Sequence, residues 1–449
     1  MKNWTSAKLA DVCTLITDGT HHSPVNLSTG AYKYVTAKNI RRWGLDISNI
    51  TYVDEATHNE IYSRCPAEYG DVLYIKDGVT TGIAALNTLR EPFSMLSSVA
   101  LLKPIPGILN SSYLKHWLNS PIAYKSMTGE MTGTAIKRLV LKQIRETQIA
   151  IAPQPEQTRI AEKLDTVLTR VDACRDRLAR VVPLLKRFRQ SVLAAATSGR
   201  LTEDWEDGNG RTDWMTTKVE SVSHVGTGST PLRSNTDYFS LTGVPWITSG
   251  ATSQELILSC DEYVTQQAIT DHRLKIYPAG TLLVAMYGEG KTRGQVSELG
   301  IPATINQACA AVVVDPKKAL VKYVKLALQA NYLEMRVLAE GGNQPNLNLS
   351  KVKEFPLNMP GIAEQTEIVR RVETLFAFAD RLEARLKTAQ TAADRLTPAL
   401  LAKAFRGELV PQDPNDEPAA ELLKRLATSR DAAPKAKRGR RSATADTTS

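Results

Sequence analysis

The chain has 449 residues, 42% of them hydrophobic and 23% charged; at about 150 residues per domain, this length predicts roughly three domains. Lys and Arg number 56 against 47 Asp and Glu, a formal charge of +9, which favours an anionic partner only weakly because the surplus is spread over the whole chain. Five scattered cysteines without a CxxC pair argue against a zinc site or a disulfide framework. There is no membrane-length apolar run and no signal peptide, so we expect a cytoplasmic protein.

Residues 1–152 are predicted to form a first α/β domain. Short runs rich in Val, Ile, Leu and Tyr, at 32–36, 72–75 and 99–102, alternate with Gly, Pro and Asn turns and predict strands. A helix is predicted near 111–119. Polar and basic loop residues suit contacts to DNA bases and phosphates; the candidates are Lys38, Asn39, Arg41, Arg42, Lys76, Thr80, Lys137 and Arg138.

Residues 153–210 are predicted to form a long helix. From Ile160 to Val192, apolar residues recur at alternating steps of four and three, which is a sustained heptad seam and includes Cys174. Its surface is basic, with ten Lys or Arg and four Asp or Glu between 159 and 200. Pro183 predicts a kink or a local break.

Residues 211–358 repeat the plan of the first domain. Strands are predicted at 281–286 and 310–314, and a helix at 320–338. The loop after the first of these strands resembles the end of a phosphate-binding P-loop, but Ala285 stands where that motif needs glycine. We interpret the loop either as a cradle for DNA phosphates or as a tight hairpin. The candidate DNA contacts of this half are Tyr287, Lys291, Arg293, Asn343, Gln344 and Asn346.

Residues 359–410 are predicted to form a second long helix, whose seam runs from Ile368 to Leu400, includes Leu396 and is interrupted by Pro398. The two seams match in length, so we expect the helices to pair as a coiled coil. Antiparallel pairing would relate the two domains by a pseudo-twofold axis; a parallel pair stays possible on sequence alone. Residues 411–449 are predicted to be a separate tail, with a short helix at 417–429 and a basic, disordered end.

An internal repeat supports this division. Residues 156–201 align with 364–409 at an offset of 208, and 14 of the 46 positions are identical. The domains before each helix match more loosely, so two variable domains share one frame. The fold class is therefore α+β, with two α/β domains separated by two long helices.

No motif for a methyltransferase, nuclease or nucleotidase is present, so the chain is expected to be non-catalytic, with no cofactor or metal of its own. Two other hypotheses stay open: a stand-alone nucleic-acid enzyme with an unrecognised site, and a coiled-coil scaffold without a DNA role.

The helix motifs resemble those of one family. The carriers are 155–157, 161–165, 185–190 and 199–202 in the first half, and 364–365, 368–373 and 401–409 in the second. On these residues the chain resembles the specificity subunit of type I restriction–modification systems.

The resemblance implies two target-recognition domains that each read half of an asymmetric, bipartite site in double-stranded DNA. It implies that the helices form an antiparallel coiled coil, set the spacer and dock two modification subunits, which would bind S-adenosylmethionine and methylate adenine. Restriction subunits, which use ATP and Mg²⁺, would complete the complex. No individual base contact carries over, because the recognition domains differ between family members.

Overall fold

The computed structural model describes residues 3–129, 138–205, 213–288, 292–338 and 347–432, which divide into two compact units. Unit 1 comprises residues 1–177 and 389–449, and unit 2 comprises residues 178–388. Each unit therefore holds one predicted domain together with segments of both long helices. No helix in these ranges is long and apolar enough to span a membrane.

The first domain is built on an antiparallel four-stranded sheet in the order β2-β10-β7-β8. A smaller sheet, β6-β3-β9, contains the parallel pair β3–β9, and β1 pairs with β11. The strands are β1 Thr5–Lys8, β2 Cys13–Asp18, β3 Tyr32–Val35, β4 Ile40–Arg41, β5 Gly44–Leu45, β6 Thr51–Val53, β7 Val72–Ile75, β8 Ala84–Leu86, β9 Ser94–Met95, β10 Val99–Pro104 and β11 Gln148–Ile151. The helices are α1 Leu9–Val12, α2 Glu55–Arg64, α3 Ser111–Leu118, α4 Pro121–Thr128 and α5 Leu141–Glu146.

The first long helix, α6, spans Gln154–Thr197, and the second domain follows it with the same plan. Its main sheet has the order β13-β21-β18-β19-β16, the smaller sheet β14-β17-β15-β20 again holds a parallel pair, β15–β20, and β12 pairs with β22. The strands are β12 Met215–Lys218, β13 Ser223–Thr227, β14 Phe239–Ser240, β15 Val244–Ile247, β16 Leu256–Ile257, β17 Tyr263–Val264, β18 Leu282–Ala285, β19 Val296–Leu299, β20 Thr304–Ile305, β21 Cys309–Val314 and β22 Pro356–Met359.

The helices of the second domain are α7 Val219–Val222, α8 Gln266–Asp271, α9 Val321–Ala330, α10 Tyr332–Val337 and α11 Leu349–Lys353. The second long helix, α12, spans Ile362–Ala404, and α13 spans Ala419–Ala432. The strands predicted in both domains are confirmed. The helix predicted at 320–338 is instead two helices, because the chain leaves helical geometry at Asn331, whose φ is −92° and ψ 19°.

The long helices run antiparallel within each unit, as one of the two sequence alternatives required. In unit 2, Arg189 of α6 donates to Asp380 of α12 at 2.6 Å. Further along the chain, the carbonyl oxygen of Leu201, just after α6, accepts at 2.9 Å from Arg371, which lies earlier in α12. In unit 1, Arg175 donates to the carbonyl oxygen of Ala393 at 2.9 Å. Residue numbers thus rise along α6 as they fall along α12.

Two details of the predicted helices need correction. Both helices continue through Pro183 and Pro398, so a local break is wrong, whereas a kink stays a prediction. Cys174 and Leu396, assigned to the seams, are exposed; Leu396 is 47% exposed. Near the end of α12, Ala393 of the predicted seam is buried, but the buried positions that follow it are Thr397, Leu401 and Ala404. A four-residue step exceeds one helical turn by about 40°, so the buried stripe rotates towards the core of unit 1.

The repeated Glu-Gln pair joins each long helix to its domain. The Trp4 indole donates to the Glu156 carboxylate at 3.0 Å, and the Trp214 indole to Glu364 at 3.2 Å. Gln157 accepts from the backbone N–H of residue 110 at 2.9 Å and donates to two buried carbonyls. Gln365 does the same with the N–H of residue 320 and the carbonyl of residue 360. The identities at this point of the repeat are therefore explained by structure.

The segment after each long helix returns to a domain core. Leu201 packs against the main core of unit 2, while Leu409 packs against that of unit 1. In α13, Ala419 and Leu422 are also buried in the unit 1 core. The described part of the tail, to residue 432, is therefore not separate, contrary to the prediction. Its apolar side chains pack on the unit 1 core, and no local sequence pattern predicts this contact. The predicted basic end lies outside the described residues.

Candidate nucleic-acid interface

In both domains, the strand end before the glycine loop is hydrogen-bonded to a second segment, at Leu139 in unit 1 and at Leu347 in unit 2. In unit 1, the backbone N–H of Leu139 donates to the Lys76 carbonyl at 2.8 Å, and Asp77 forms a β-bridge with Arg138. In unit 2, the N–H of Leu347 donates to the Met286 carbonyl at 3.1 Å. The fold thus brings together, twice, two segments that are about sixty residues apart in sequence.

Each glycine loop follows a central strand and leads to the neighbouring antiparallel strand, β7 to β8 in unit 1 and β18 to β19 in unit 2. In unit 1, the N–H of Gly82 donates to the carbonyl of Ile75, and in unit 2 Gly294 donates to Ala285, both at 2.9 Å. Gly82 has a φ of +102°, and a Cβ on it would lie 2.7 Å from the Tyr124 ring. Glycine is therefore required for both backbone conformation and space. The antiparallel strands on either side of the second loop agree with the hairpin interpretation, but residues 289–291 lie outside the described residues. The phosphate-cradle interpretation stays a prediction.

The exposed candidates of the unit 1 loop are Thr80 and Arg138. Thr80 lies at the tip, and the Arg138 side chain is 66% exposed and forms, among the described residues, a long ion pair of 3.5 Å with Asp77. A guanidinium in this position is free to reach a phosphate or a base edge. Lys76 differs, because its side chain is 3% exposed and contacts Asp77 at 2.9 Å and Asp18 at 3.5 Å. These contacts favour a structural role for Lys76.

The candidates at 38–42 separate into two groups. Asn39 is buried: its side-chain oxygen accepts from the Thr36 backbone at 3.0 Å and its amide donates to the Asp46 carbonyl at 3.0 Å. Both ends of the carboxamide are thus engaged in the turn. Lys38, by contrast, is exposed and lines a cavity.

Arg41 and Arg42 have different neighbours. Arg41 donates to its neighbouring carbonyl and pairs with Asp46 at 3.4 Å. Arg42 lines a small cavity of about 150 Å³ together with Asp172 and Arg175 of α6. Burial, and then the nearby Arg175 charge, lower the pKa of Arg42. Arg42 thus faces the helix.

In unit 2, two candidates are described. Tyr287 is half-buried against the main core. Arg293 has a buried Nε without a hydrogen-bond partner among the described residues, while its carbonyl accepts from Arg336 at 3.4 Å. Lys137, Lys291, Asn343, Gln344 and Asn346 lie outside the described residues.

Unit 1 contains a cavity of about 510 Å³ that the sequence did not predict. Asn26, Asn49, Tyr34 and Ser98 line it together with Lys38. Asn26 and Asn49 come from separate turns, so no spacing signal could have grouped them; their clustering is a consequence of the tertiary fold.

The surface of α6 outside the packed stripe is basic, as its composition predicted. Lys163, Arg170, Arg177, Arg180, Lys186 and Arg187 are all exposed. By contrast, Arg175 and Arg189 are partly buried in ion pairs with α12, at 3.3 Å to Asp394 and 2.6 Å to Asp380. The exposed cations are therefore available to an anionic ligand or an acidic partner.

Comparison with known families decides between the open identities. The model of the type I restriction modification DNA specificity domain matches residues 1–181 and 211–389. The chain belongs to this family. The two matches have nearly equal length, and each covers one recognition domain and much of the long helix that follows it. The internal repeat is thus a duplication of the specificity domain.

Relatives match along nearly the whole specificity chain. The StySPI specificity subunit of Salmonella potsdam is 25% identical over 448 residues, with 96% of each chain covered. The EcoKI specificity subunit of Escherichia coli K12 is 26% identical over 458 residues, again covering 96% of each chain. The EcoBI subunit of Escherichia coli is 28% identical over 444 residues, with 91% of each covered.

Solved structures share the fold. The HsdS subunit of Thermoanaerobacter tengcongensis has a TM-score of 0.60 at 17% identity and covers 91% of this chain and 98% of its own. A chain from a study of type I R-M complex assembly and conformational transition has a TM-score of 0.65 at 16% identity, covering 91% and 99%. The predicted α+β architecture with duplicated domains and long helices is therefore confirmed.

Proposed function

We propose that this chain is the DNA-specificity subunit of a type I restriction–modification complex and reads an asymmetric, bipartite site in double-stranded DNA. The observation that carries the proposal is the duplicated specificity domain, in which each copy bonds the strand end before its glycine loop to a second segment. The copies carry different residues there: Val79 and Thr80 lie at the first loop's tip, and Glu289 and Lys291 belong to the second. Two recognition domains with different loop residues are expected to bind two different half-sites, as an asymmetric site requires.

The remaining parts of the complex would supply the chemistry. Two modification subunits would dock on the long helices, bind S-adenosylmethionine and methylate adenine. Restriction subunits would use ATP and Mg²⁺ to translocate and cleave DNA. The chain itself would recognise without catalysing. Since these substrates are intracellular, we infer a cytoplasmic location. The exposed cations of α6 support a docking role, because an acidic partner surface would complement them.

Reconstitution tests the proposal. The purified chain, a modification subunit expressed from the same host, and the two together are each incubated with duplex DNA and labelled S-adenosylmethionine. Methyl transfer to one bipartite motif in the mixture alone is the expected result. Transfer by the chain alone would favour the stand-alone enzyme. No binding or methylation with any component from that host would favour a scaffold without a DNA role.

A further inference from the structure

The cavity of unit 1 has the chemistry of a nucleotide site. Its polar lining consists of carboxamides, hydroxyls and the Lys38 ammonium, without a carboxylate. Asn26, Asn49 and Lys38 are exposed at its rim, and the Asn26 side-chain oxygen also accepts from the Thr51 hydroxyl at 3.3 Å. Carboxamides offer a donor and an acceptor together, the pattern that pairs with adenine, and an ammonium suits a phosphate. A cation is disfavoured because no anionic side chain among the described residues lines the cavity.

Two buried hydroxyls in the wall have no hydrogen-bond partner in the described structure. Tyr34 is 3% exposed, and neither its hydroxyl nor that of Ser98 is bonded. Natural structures rarely leave such groups unpaired, because burial without a partner costs free energy. Burial also raises the pKa of Tyr34 to about 12, so at neutral pH this hydroxyl keeps its proton and can donate to a ligand.

The cavity adjoins the glycine loop. The backbone N–H of Lys76, where the chain leaves β7, donates to the Ser98 carbonyl at 2.9 Å. The Ser98 wall is thus bonded to the base of the loop, whose other side is bridged to Arg138 through Asp77. A DNA strand lying over the loop and Arg138 would pass close to the cavity.

The corresponding place in unit 2 is built differently. In the parallel pair of the smaller sheet, Tyr34 faces Ser94, and in the same register Trp246 faces Thr304. The Trp246 indole donates to the Ser229 carbonyl at 3.2 Å, so it leaves no unpaired group. The unpaired tyrosine hydroxyl therefore belongs to the first domain and suits a feature that only this half recognises.

We propose that this cavity takes part of the first DNA half-site, with Asn26 and Asn49 contacting a base pair that contains adenine and Lys38 contacting a phosphate beside it. Tyr34 donates its hydroxyl to the bound nucleotide. The inference rests on the proposed function, and it assigns base recognition to residues far in sequence from the loops.

The test uses the chain assembled with its modification subunits. Sequencing of methylated host DNA first defines the motif of the wild-type complex, and DNA binding is then measured on duplexes changed at each motif position. Asn49→Ala should reduce discrimination at one A·T pair of the first half-site by about 5- to 150-fold. Lys38→Ala should weaken binding to all sequences alike. Asn59→Ala and Lys125→Ala, exposed controls on α2 and α4, should change neither.

Tyr34→Phe separates a binding role from a structural one. It removes only an unpaired hydroxyl, so the midpoint of thermal unfolding of the free chain should stay the same or rise, while discrimination at the same base pair falls. Unchanged discrimination in both Tyr34→Phe and Asn49→Ala would overturn the inference and leave the proposed function intact. A wild-type complex without any methylated motif would instead refute the proposed function itself.

A free nucleotide is the competing ligand. Calorimetry of the purified chain with deoxyadenosine monophosphate should show no saturable binding. Saturable binding that Asn49→Ala abolishes would overturn the DNA assignment in favour of a small-molecule site.

Discussion

The indole nitrogen of Trp4 donates a 3.0 Å hydrogen bond to the carboxylate of Glu156, near the first turn of α6. Trp4 directly precedes the strand that closes the first domain, so this bond holds the start of the domain against the start of the helix. Burial raises the pKa of Glu156, and the bond from Trp4 opposes this shift. Trp214 and Glu364 repeat the bond in unit 2.

Glu156→Gln should flatten the dependence of stability on pH. Because the folded pKa of Glu156 is raised, the unfolded chain binds fewer protons above its ordinary pKa of about 4.3. Stability therefore falls as pH rises from there through the folded pKa. Glutamine keeps the acceptor for Trp4 without a charge, so this fall should disappear in urea midpoints measured from pH 4 to 8. Glu162→Gln, which changes an exposed residue on the same helix, should keep the fall of stability with rising pH seen in the wild type. If Glu156→Gln and the wild type showed the same dependence of the urea midpoint on pH, the raised pKa of Glu156 would not be the cause of the fall.

Gln157→Ala should destabilise unit 1. The change leaves one buried N–H and two buried carbonyls without their side-chain partner, and we expect a loss of about 2–4 kcal/mol. Gln365→Ala should destabilise unit 2 comparably. Chemical denaturation with fluorescence detection measures both, and Gln190→Ala, exposed on α6, serves as the control. A loss no larger than that of Gln190→Ala would show that these bonds do not hold the helices to the domains.

Asp165→Asn should remove part of the acid sensitivity of unit 1. Asp165 accepts from His116 at 2.8 Å, Lys115 at 2.6 Å and Ser112 at 2.8 Å. Burial alone would raise the pKa of Asp165, but these bonds hold it well below its usual range. The ionised Asp165 and its three partners therefore stabilise the fold above about pH 4. This stabilisation is lost as pH falls towards the depressed pKa of Asp165.

The comparison is made by following unfolding midpoints between pH 2 and 6. Asp165→Asn should be less stable than wild type at pH 6 and should lose less stability on acidification. Asp176→Asn, which lies on the same helix and is exposed, is the control. Parallel curves for Asp165→Asn and wild type would rule out this contribution.

Arg138→Ala should weaken DNA binding across all sequences. If the side chain contacts a phosphate, the slope of log K against log salt should become shallower by about one unit. Titrations of the assembled complex at several salt concentrations measure this. Arg90→Ala, which removes an exposed arginine packed on Tyr69, should leave the slope unchanged. A loss confined to one base-pair position would instead reassign Arg138 to base reading.

Replacing residues 211–358 with the matching block of a relative of different specificity, while retaining Trp214, should change one half of the methylated motif. The β12–β22 pair joins the two ends of this block, and of its four register pairs only Met215 with Met359 crosses the block's end, so an exchanged block brings most of its own closure. Methylome sequencing should show the other half unchanged. A change in both halves would disprove independent reading.

The sequence by itself determined the duplication, the two long helices and five of the strands, because helical and strand periodicities and glycine turns are local signals. It also located the glycine loops, since Gly82 and Gly294 both adopt positive φ angles, which favour glycine, between two strands. The direction of helix pairing was left open, because a heptad seam reads the same in both directions; contacts such as Arg189 with Asp380 decided it.

Only the tertiary structure decided which polar residues are available for a ligand. Lys76 and Asn39 look like DNA contacts in sequence, yet both are buried and bonded, whereas Arg138 is exposed. Likewise, α13 packs on the unit 1 core. In sequence it lies more than two hundred residues after β11, the last strand of that domain. Burial depends on which distant segments meet, and hydrophobic and polar patterns along the chain do not encode that partner. The same reason hid the cavity around Tyr34.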